Sequence, residues 1–397
     1  MISEASRPYI DASVPVLRER GLAITRLFYA NMFGAHPELT RLFNMGNQAS
    51  GVQQQSLASA VFAYAANIGT PETLGPVVKR IVHKHVSVGI RAEHYPIVGK
   101  HLLEAIAATL GDAATPALLD AWKEAYTSLA KLLIGVEAEL YSTAGIEPGA
   151  TRPMRVLEVV RESANVLSIR FEPADGKPLA EFKPGQYVSV AVDFADGRRQ
   201  LRQYSLSDRP GIGSYRISVK REDALADTPA GAVSNWLHAN VQPGSTLQVT
   251  HPFGDFTPDT EGEGPVLLLS AGVGITPMVS ALHRIAAVNP QRRVIFAHAA
   301  RDPGCHAFRA EVDALTVAMP NLSVVNFYED GQGAADALEG RMDVARLPAW
   351  PHEDAEVYLC GPHKFMQGQW LALINAGVPV ARLHREVFGP ELLDHLL

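Results

Sequence analysis

The chain of 397 residues has little of several features that mark particular classes of protein. Its only two cysteines, Cys305 and Cys360, lie far apart in different sequence contexts, so neither a disulfide framework nor a cysteine metal site is indicated. No apolar run reaches the length of about 18 residues that a membrane span requires. Blocks rich in lysine and arginine are missing and the formal net charge is −7, which excludes the broad basic field that nucleic acids require.

The start of the chain also lacks the pattern of a signal peptide. Residues 1–17 contain Glu4, Arg7 and Asp11 and have no apolar central segment. The hydrophobic content of 47% and the charged content of 19% are ordinary for a soluble globular protein. We therefore expect a cytoplasmic protein that has no membrane span and binds no nucleic acid.

Length and two breaks in composition predict three domains. A typical domain has about 150 residues, so this chain is too long for one core. One break, residues 145–153, is rich in glycine and proline, and the other, residues 258–264, is acidic and contains glycine. The predicted domains are residues 1–147, 148–262 and 263–397.

The first domain is predicted to be all α. Between residues 8 and 143 the apolar positions recur at spacings of three and four, and the runs 52–66 and 116–141 have no internal proline. Thr115 precedes Pro116, which places a capping hydroxyl before a first-turn proline and marks the start of a long helix.

The second and third domains have the periodicity of strands. Alternation with period two predicts an antiparallel β-barrel in the second domain. Its predicted strands are residues 154–160, 166–172, 186–192, 215–220 and 245–251. In the third domain, apolar strands alternate with helical stretches, which predicts a parallel, doubly wound α/β sheet. Its predicted strands are residues 265–270, 294–299, 322–327 and 356–360.

A glycine turn, Ala271-Gly272-Val273-Gly274-Ile275-Thr276-Pro277, directly follows the first strand of the third domain. Phosphate groups need close backbone approach, which glycine permits, and free amides at a helix start. Here the pattern is Gly-x-Gly-x-x-Pro instead of the usual Gly-x-Gly-x-x-Gly, so a tight structural turn is an alternative explanation. Two further motifs flank this turn in the sequence: Arg202-Gln203-Tyr204-Ser205 and Cys360-Gly361-Pro362.

In order and spacing, these three motifs resemble those of the ferredoxin-NADP reductase family over residues 152–397. The resemblance implies that Arg202 holds the flavin pyrophosphate, a role suited to its guanidinium fork. It also implies that Tyr204 packs on the flavin and that Ser205 faces the reactive flavin nitrogen. The further FAD positions are Gln203, Tyr187, the helix start Gly231 to Ser234, and the covering segment Glu386, Val387, Phe388, Gly389 and Pro390. The positions implied to bind the nicotinamide dinucleotide are Ala271, Gly272, Val273, Gly274, Ile275, Thr276, Cys360, Gly361 and Pro362.

Taken one at a time, these residues also fit packing roles. Tyr187 and Tyr204 fit ordinary strand aromatics, Ser234 fits a helix cap and Cys360 fits a small buried residue. The ordered set favours the flavin interpretation. Arg301, after the second strand of the third domain, does not decide between NADH and NADPH.

The helical domain has one histidine, His85, on the apolar face of a helix predicted over residues 75–90. From this helix alone, a hydrogen-bonded core histidine is the more ordinary explanation. The helix 52–66 places Gln53 and Leu57 one turn apart on a single face, where a buried amide needs a partner. The neighbouring Gln54 and Gln55 are expected to point into solvent.

With Tyr29 in the helix 22–33 and Phe43 after the short helix begun at Pro37, these positions resemble the globin pattern over residues 1–147. His85 is then the implied proximal iron ligand, Phe43 the phenylalanine at the interhelix corner and Gln53 the polar distal residue. The combination of Tyr29, Gln53 and Leu57 resembles the flavohemoglobins and bacterial hemoglobins. In those proteins two distal donors hold dioxygen, and Leu57 is implied to restrict access.

Three further residues belong to the proximal side in this resemblance. Tyr95 and Glu137 are implied to form a relay with the His85 ring nitrogen that makes the imidazole more electron-rich. A packing tyrosine and a surface-flanking glutamate are the alternative. Lys84, on the polar side of its helix, is expected to face the flavin domain.

A globin followed by a flavin and nicotinamide reductase is the flavohemoglobin arrangement. It implies haem b with its iron, FAD and NAD(P)H as cofactors, and a nitric oxide dioxygenase activity. Hydride passes from NAD(P)H to FAD, single electrons pass to the haem iron, and dioxygen at the haem oxidises nitric oxide to nitrate. We expect dioxygen and nitric oxide as small-molecule partners, and a monomer.

Two alternatives stay open. One is a flavin or peroxide reductase in which the globin is an oxygen switch. The other is a sensor or carrier of dioxygen or nitric oxide. The complete hydride path argues against a carrier, and the lack of an output domain argues against a sensor.

Overall fold

The computed structural model describes residues 2–224, 228–331, 334 and 336–390, except for the side chains of residues 71 and 72. These residues form a helical unit, an antiparallel β unit with one helix, and an α/β unit with a parallel sheet, in that order along the chain. The fold class predicted from periodicity is therefore confirmed.

The first unit is built of helices. They are α1 (Arg7–Ala35), α2 (Met45–Ala49), α3 (Val52–Ala66), α4 (Gly75–Val88), α5 (His94–Leu110) and α6 (Pro116–Ala144). The hydroxyl of Thr115 accepts a hydrogen bond from the amide of Leu118 at 3.3 Å, which confirms the predicted cap of α6. α1 packs across α3 and α5, and the core between them includes Phe28, Met32 and Ile106.

The second unit is a six-stranded antiparallel sheet in the order β4-β3-β6-β1-β2-β5. Its elements are β1 (Arg152–Arg161), β2 (Val166–Pro173), β3 (Tyr187–Asp193), β4 (Arg199–Ser205), β5 (Tyr215–Lys220), helix α7 (Ala232–Asn240) and β6 (Thr246–Val249). A bridge between Leu206 and Ile217 connects the two edges, so the sheet curls toward a barrel.

The third unit is a parallel sheet in the order β10-β9-β8-β7-β11-β12. Its elements are β7 (Val266–Ala271), α8 (Ile275–Val288), β8 (Val294–Ala300), α9 (Arg309–Ala318), β9 (Leu322–Tyr328), β10 (Leu338–Glu339), β11 (Glu356–Cys360), α10 (His363–Asn375) and β12 (Leu383–Glu386). β7, β8 and β11 are buried on both faces, as expected of strands that helices cover on two sides. β12 was not among the predicted strands.

β4 is also absent from the predicted strands, although it carries the Arg202 motif. Its side chains are polar at most positions and only two of its seven residues are fully buried, so the alternation that marks a strand is missing. Its pairing with β3 sets Tyr187 opposite Ser205 and Val190 opposite Arg202. Within the described ranges, no helix has the length and apolar character needed to cross a membrane.

Candidate functional site

His85, on α4, is held by side chains from two other helices, α5 and α6. Its Nδ1 lies 2.7 Å from Oε1 of Glu137 and 3.2 Å from the hydroxyl of Tyr95. The Tyr95 hydroxyl donates to the same Glu137 oxygen at 2.5 Å. An ionised carboxylate only accepts hydrogen bonds, so the Nδ1 of His85 carries the proton and Nε2 presents its lone pair. This tautomer is the one that a metal ion binds through Nε2.

The carboxylate and the phenol of this group are shielded from water. Glu137 is 3% exposed and Tyr95 is 7% exposed. Burial, followed by the neighbouring Glu137 carboxylate, holds the pKa of Tyr95 far above its usual range. The phenol therefore keeps its proton and donates to Glu137, as the predicted arrangement of these three residues requires.

Tyr29 lies on the other side of the helical pocket, on α1. Its ring packs against Phe33 and edge-on against Phe43, with centroid distances of 5.6 and 5.8 Å. Burial raises the pKa of Tyr29 to about 12, opposed by hydrogen bonding with Gln53 and then Gln48. The phenol is therefore neutral over the physiological range and is available as a donor. Leu57 packs against the same core cluster.

Of the two glutamines predicted to be solvated, Gln55 is exposed as expected and Gln54 is not. Gln54 was predicted to be solvated, but it is only partly exposed. Its Nε2 donates to the side-chain and backbone oxygens of Gln48 at 2.9 and 3.2 Å. The expectation was wrong because α2 covers that side of α3. Gln48, which no sequence pattern singled out, is 9% exposed and stands beside Tyr29.

A continuous cavity of about 1400 Å³ joins the helical pocket to the Arg202 motif. This volume exceeds the roughly 300–1,000 Å³ that is usual for one ligand, so it has room for more than one group. The predicted site residues on its wall are Phe43, Gln53, Lys84, His85, Tyr187, Arg202, Gln203, Tyr204, Ser205, Gly231, Ser234, Val273, Thr276, Glu386, Val387, Phe388, Gly389 and Pro390. The other predicted site residues of the helical unit contact residues on this wall: Tyr29 is hydrogen-bonded with Gln53, and Tyr95 and Glu137 contact His85.

The helical end of the cavity fits a haem. Its wall contains the apolar side chains of Phe43, Ile81 and Val88 around the single imidazole of His85. A planar apolar macrocycle with one axial imidazole needs this combination.

The central part of the cavity fits a flavin nucleotide. The Oγ of Ser205 is buried and, in the described part of the chain, has no hydrogen-bond partner. A buried orphan hydroxyl needs a polar partner, which a flavin ring supplies. Burial lowers the pKa of the Arg202 guanidinium, so an anionic partner such as a pyrophosphate is favoured there. α7 begins at Gly231 without a side-chain cap, which leaves its first amides for a phosphate.

Lys84 connects the helical unit to the end of the chain. Its Nζ donates to the carbonyl oxygens of Val387 and Gly389 at 3.2 and 2.6 Å. About one helical turn further along α4, Ser87 accepts a hydrogen bond of 2.6 Å from Nε2 of Gln203. The polar side of α4 thus contacts both the flavin motif and the covering segment 386–390, while His85 lies on the same helix.

The two nucleotide motifs of the third unit touch through their backbones. Gly272 has a φ of +54°, which favours glycine. A Cβ added at Gly274 would lie 2.3 Å from the carbonyl oxygen of Cys360. The turn after β7 and the Cys360 motif after β11 therefore meet at the carboxyl edge of the sheet, where nucleotides bind in such folds. Ala271, Ile275 and Cys360 are buried here, and Pro362 caps α10.

The structure and these sites define an oxidoreductase in which a globin is joined to a flavin and nicotinamide reductase. Three family models match in the same order: Globin over residues 26–133, Oxidoreductase FAD-binding domain over 153–257 and Oxidoreductase NAD-binding domain over 268–369.

Relatives and solved structures agree over nearly the whole chain. The chain is 49% identical to the flavohemoprotein of Bordetella parapertussis, with 98% of this chain and 99% of the relative covered. It is 45% identical to that of Rhizobium meliloti, with 99% of each covered. The crystal structure of a Malassezia yamatoensis flavohemoglobin with bound FAD and heme matches with a TM-score of 0.86 and 31% identity, covering 98% of this chain and 100% of that one. The chain belongs to the flavohemoprotein family.

Proposed function

We propose that this flavohemoprotein is a nitric oxide dioxygenase that uses NAD(P)H, FAD and haem b. The observation that carries the proposal is the single cavity that holds His85 and Gln53 at one end and Arg202, Tyr204 and Ser205 at the other. When bound, NAD(P)H would supply a hydride, FAD would divide the electron pair into single electrons, and haem would bind dioxygen. The FAD/NAD-binding domain of a Vibrio cholerae nitric oxide dioxygenase, 39% identical with a TM-score of 0.57 over 61% of this chain and 100% of that one, supports this activity.

In this proposal the reductase residues bind and orient the nucleotides. Arg202 and the start of α7 hold the flavin pyrophosphate from two sides, and Tyr204 and Ser205 position the ring. The turn Gly272 to Thr276 would hold the dinucleotide phosphates, and Cys360 would be the residue next to the nicotinamide. Val273 and Thr276 lie on the same cavity wall as Ser205, so the dinucleotide and the flavin have adjacent places.

The helical residues control the proximal and distal sides of the haem. His85 would bind the haem iron through Nε2, and the Glu137 carboxylate, whose Oε1 lies 2.7 Å from Nδ1, would make the ring more electron-donating. On the distal side, the neutral phenol of Tyr29 and the amide of Gln53 would supply hydrogen-bond donors for dioxygen. Leu57, in the wall of packed side chains next to them, narrows the access.

The proposal includes the organisation of the chain. We place the domain boundaries after residues 147 and 262, in the break between α6 and β1 and in the segment before β7. We also propose a cytoplasmic monomer with dioxygen and nitric oxide as its small-molecule partners.

The Tyr29→Phe variant tests the proposed reaction. The purified protein, with NADH and dioxygen, is expected to convert nitric oxide to nitrate in equal amount. Loss of a hydrogen bond to a partly charged ligand costs about 1.5–3 kcal/mol, so the variant should consume nitric oxide about 10 to 100 times more slowly. The measurement is nitric oxide decay at an electrode together with nitrate analysis.

Two controls define the outcome of this test. Tyr9→Phe, at an exposed tyrosine on the same helix, should behave as the unsubstituted protein. Nitric oxide decay without nitrate, or the same rate with and without NADH, would refute the dioxygenase activity. Preferential turnover of hydroperoxides would favour the peroxide reductase instead.

The Glu137→Gln variant tests the proximal hydrogen bond. An amide oxygen still accepts from Nδ1 but has no charge, and outer-shell substitutions of this kind typically cost about 10 to 100-fold in activity. We expect a loss in this range in nitric oxide consumption and a lower iron–histidine stretching frequency in resonance Raman spectra. Glu139→Gln, at an exposed position of the same helix, should change neither. An unchanged stretching frequency in Glu137→Gln would show that the carboxylate does not act on the imidazole.

A further inference from the structure

A buried ion pair connects the flavin unit to the nucleotide unit, outside the cavity described above. Arg216 lies on β5 and Glu311 lies on α9. The guanidinium donates to both carboxylate oxygens, with distances of 2.9 Å to Oε2 and 2.6 Å to Oε1. The side chains are 9% and 27% exposed, so this two-point pairing lies largely out of water. We name it the interdomain clasp.

Two side chains of the nucleotide unit hold the clasp in place. The Nε2 of His283 on α8 lies 2.5 Å from Oε1 of Glu311. The Arg216 guanidinium stacks over the ring of Phe308, 4.9 Å from its centroid. Phe308 has a φ of +63°, the one positive value among the non-glycine residues that the structure describes. Such a conformation is unfavourable for a bulky residue and persists only where its surroundings impose it.

The clasp is continuous with the segment that follows the flavin motif. The Nη2 of Arg216 donates to the carbonyl oxygen of Ser207 at 2.5 Å, two residues after Ser205. Next in the chain, the carbonyl oxygen of Asp208 accepts a hydrogen bond of 2.7 Å from the hydroxyl of Ser280. Ser280 lies on α8, which starts directly after Gly274. These bonds tie the Ser205 segment to the helix that the nucleotide turn begins.

Net stability is a weak explanation for such an ion pair. Removing two charges from water offsets much of their attraction, and apolar replacements of buried ion pairs are often neutral or stabilising. What a two-point pairing does supply is a fixed relative geometry, because the planar fork accepts a carboxylate in few orientations. Between two domains that together hold one reacting pair, geometry is the property that matters, since a misplacement of about 1 Å can cost about 100-fold in rate.

We propose that Arg216 and Glu311 are positioning residues for hydride transfer: the interdomain clasp sets the approach of the nicotinamide site at Cys360 to the flavin site at Ser205. This inference rests on the proposed use of NAD(P)H and FAD but not on nitric oxide as the substrate. Neither residue lies on the wall of the cavity, so both act through the segments that they connect.

The test follows flavin reduction by NADH in the holoenzyme without oxygen, by stopped-flow absorbance. Arg216→Met and Glu311→Met should each lower the limiting rate at saturating NADH about tenfold, with little change in the NADH concentration for half-maximal rate. Because the two residues act as one unit, the double variant should be no slower than the slower single variant. Arg216→Lys keeps the positive charge but not the forked guanidinium, so its limiting rate should lie between those of the unsubstituted protein and Arg216→Met.

Two more readouts separate positioning from a purely structural role. Hydrogen exchange in the holoenzyme should rise in peptides covering 206–216 and 275–285. Electron transfer from chemically reduced flavin to haem should keep its rate. Arg341→Met, which breaks an exposed ion pair with Glu329 inside the nucleotide unit, should leave every rate unchanged.

The outcomes that would overturn the proposal are distinct. A lower melting temperature with an unchanged limiting rate would make the clasp structural only. A fall in apparent NADH affinity alone would make it part of the binding site. If NADH does not reduce the flavin of the unsubstituted protein, both the clasp and the proposed function fail. If flavin reduction follows the prediction but nitric oxide is not consumed, only the dioxygenase proposal fails.

Discussion

Replacement of His85 by alanine is expected to abolish nitric oxide consumption while NADH still reduces the flavin. Among the described residues on the cavity wall, His85 supplies the one imidazole, and its Nδ1 lies 2.7 Å from Oε1 of Glu137. Alanine supplies no donor atom, so a haem iron bound as we propose would lose this ligand and the electron density that the histidine would provide. We expect a loss of at least about 100-fold, the largest effect for a single side chain in the helical unit, because ligation itself is removed.

The measurements for His85→Ala are haem content, the visible absorption spectrum and the rate of nitric oxide decay. Added imidazole should restore part of the normal spectrum if the cavity left by the side chain is otherwise intact. His352→Ala, at a histidine of the nucleotide unit that contacts Trp350 and the carbonyl oxygen of Ala376, is the matched control and should keep normal nitric oxide consumption. A His85→Ala protein with an unaltered ligated-haem spectrum would refute the proximal assignment.

Replacement of Gly274 by alanine is expected to have a similarly large effect at the other end of the electron path. The new Cβ would lie 2.3 Å from the carbonyl oxygen and 2.5 Å from the carbonyl carbon of Cys360. Backbone atoms cannot rotate away as a side chain does, so the turn or the Cys360 segment must move. Overpacking of this kind costs about 1–3 kcal/mol in stability. A displacement of about 1 Å at the nicotinamide site would slow flavin reduction about 100-fold.

The measurement for Gly274→Ala is again flavin reduction by NADH without oxygen, combined with FAD and haem content. Both contents should stay normal, since Arg202 and His85 are untouched. Gly368→Ala is the matched control, because Gly368 lies inside α10 of the same unit and an added Cβ there meets no atom within 4 Å. A normal reduction rate in Gly274→Ala would mean that the contact between the two nucleotide motifs does not position the dinucleotide.

Part of the fold follows from local patterns. α3 spans the predicted residues 52–66, and β5 and β11 have the predicted bounds. α3 is a proline-free run that follows Gly51, and β11 is a short apolar run that ends before Gly361, so both have boundaries that are visible in the local sequence. β4 carries no such signal because its polar side chains face the cavity and the neighbouring unit, where tertiary contacts replace burial in a core.

Some residues of the candidate site also have a local sequence signal, and others have none. Arg202, Ser205, Gly272 and Cys360 stand in short motifs whose spacing is visible in one stretch of chain. Gln48 and Gln54 carry no motif, and their hydrogen bond depends on α2 packing on the start of α3. Through this packing, Gln48 also stands beside Tyr29.

The sequence by itself determined the three kinds of folded unit, their order and the residue types that suit haem, flavin and dinucleotide, because periodicity and motif spacing are local properties. Only the tertiary structure decided which of these residues meet. The contact of Lys84 with Val387 joins positions 303 residues apart, and that of Arg216 with Glu311 joins positions 95 residues apart. Such contacts arise when separate cores pack against each other, and the local sequence around either partner has no pattern that specifies the other.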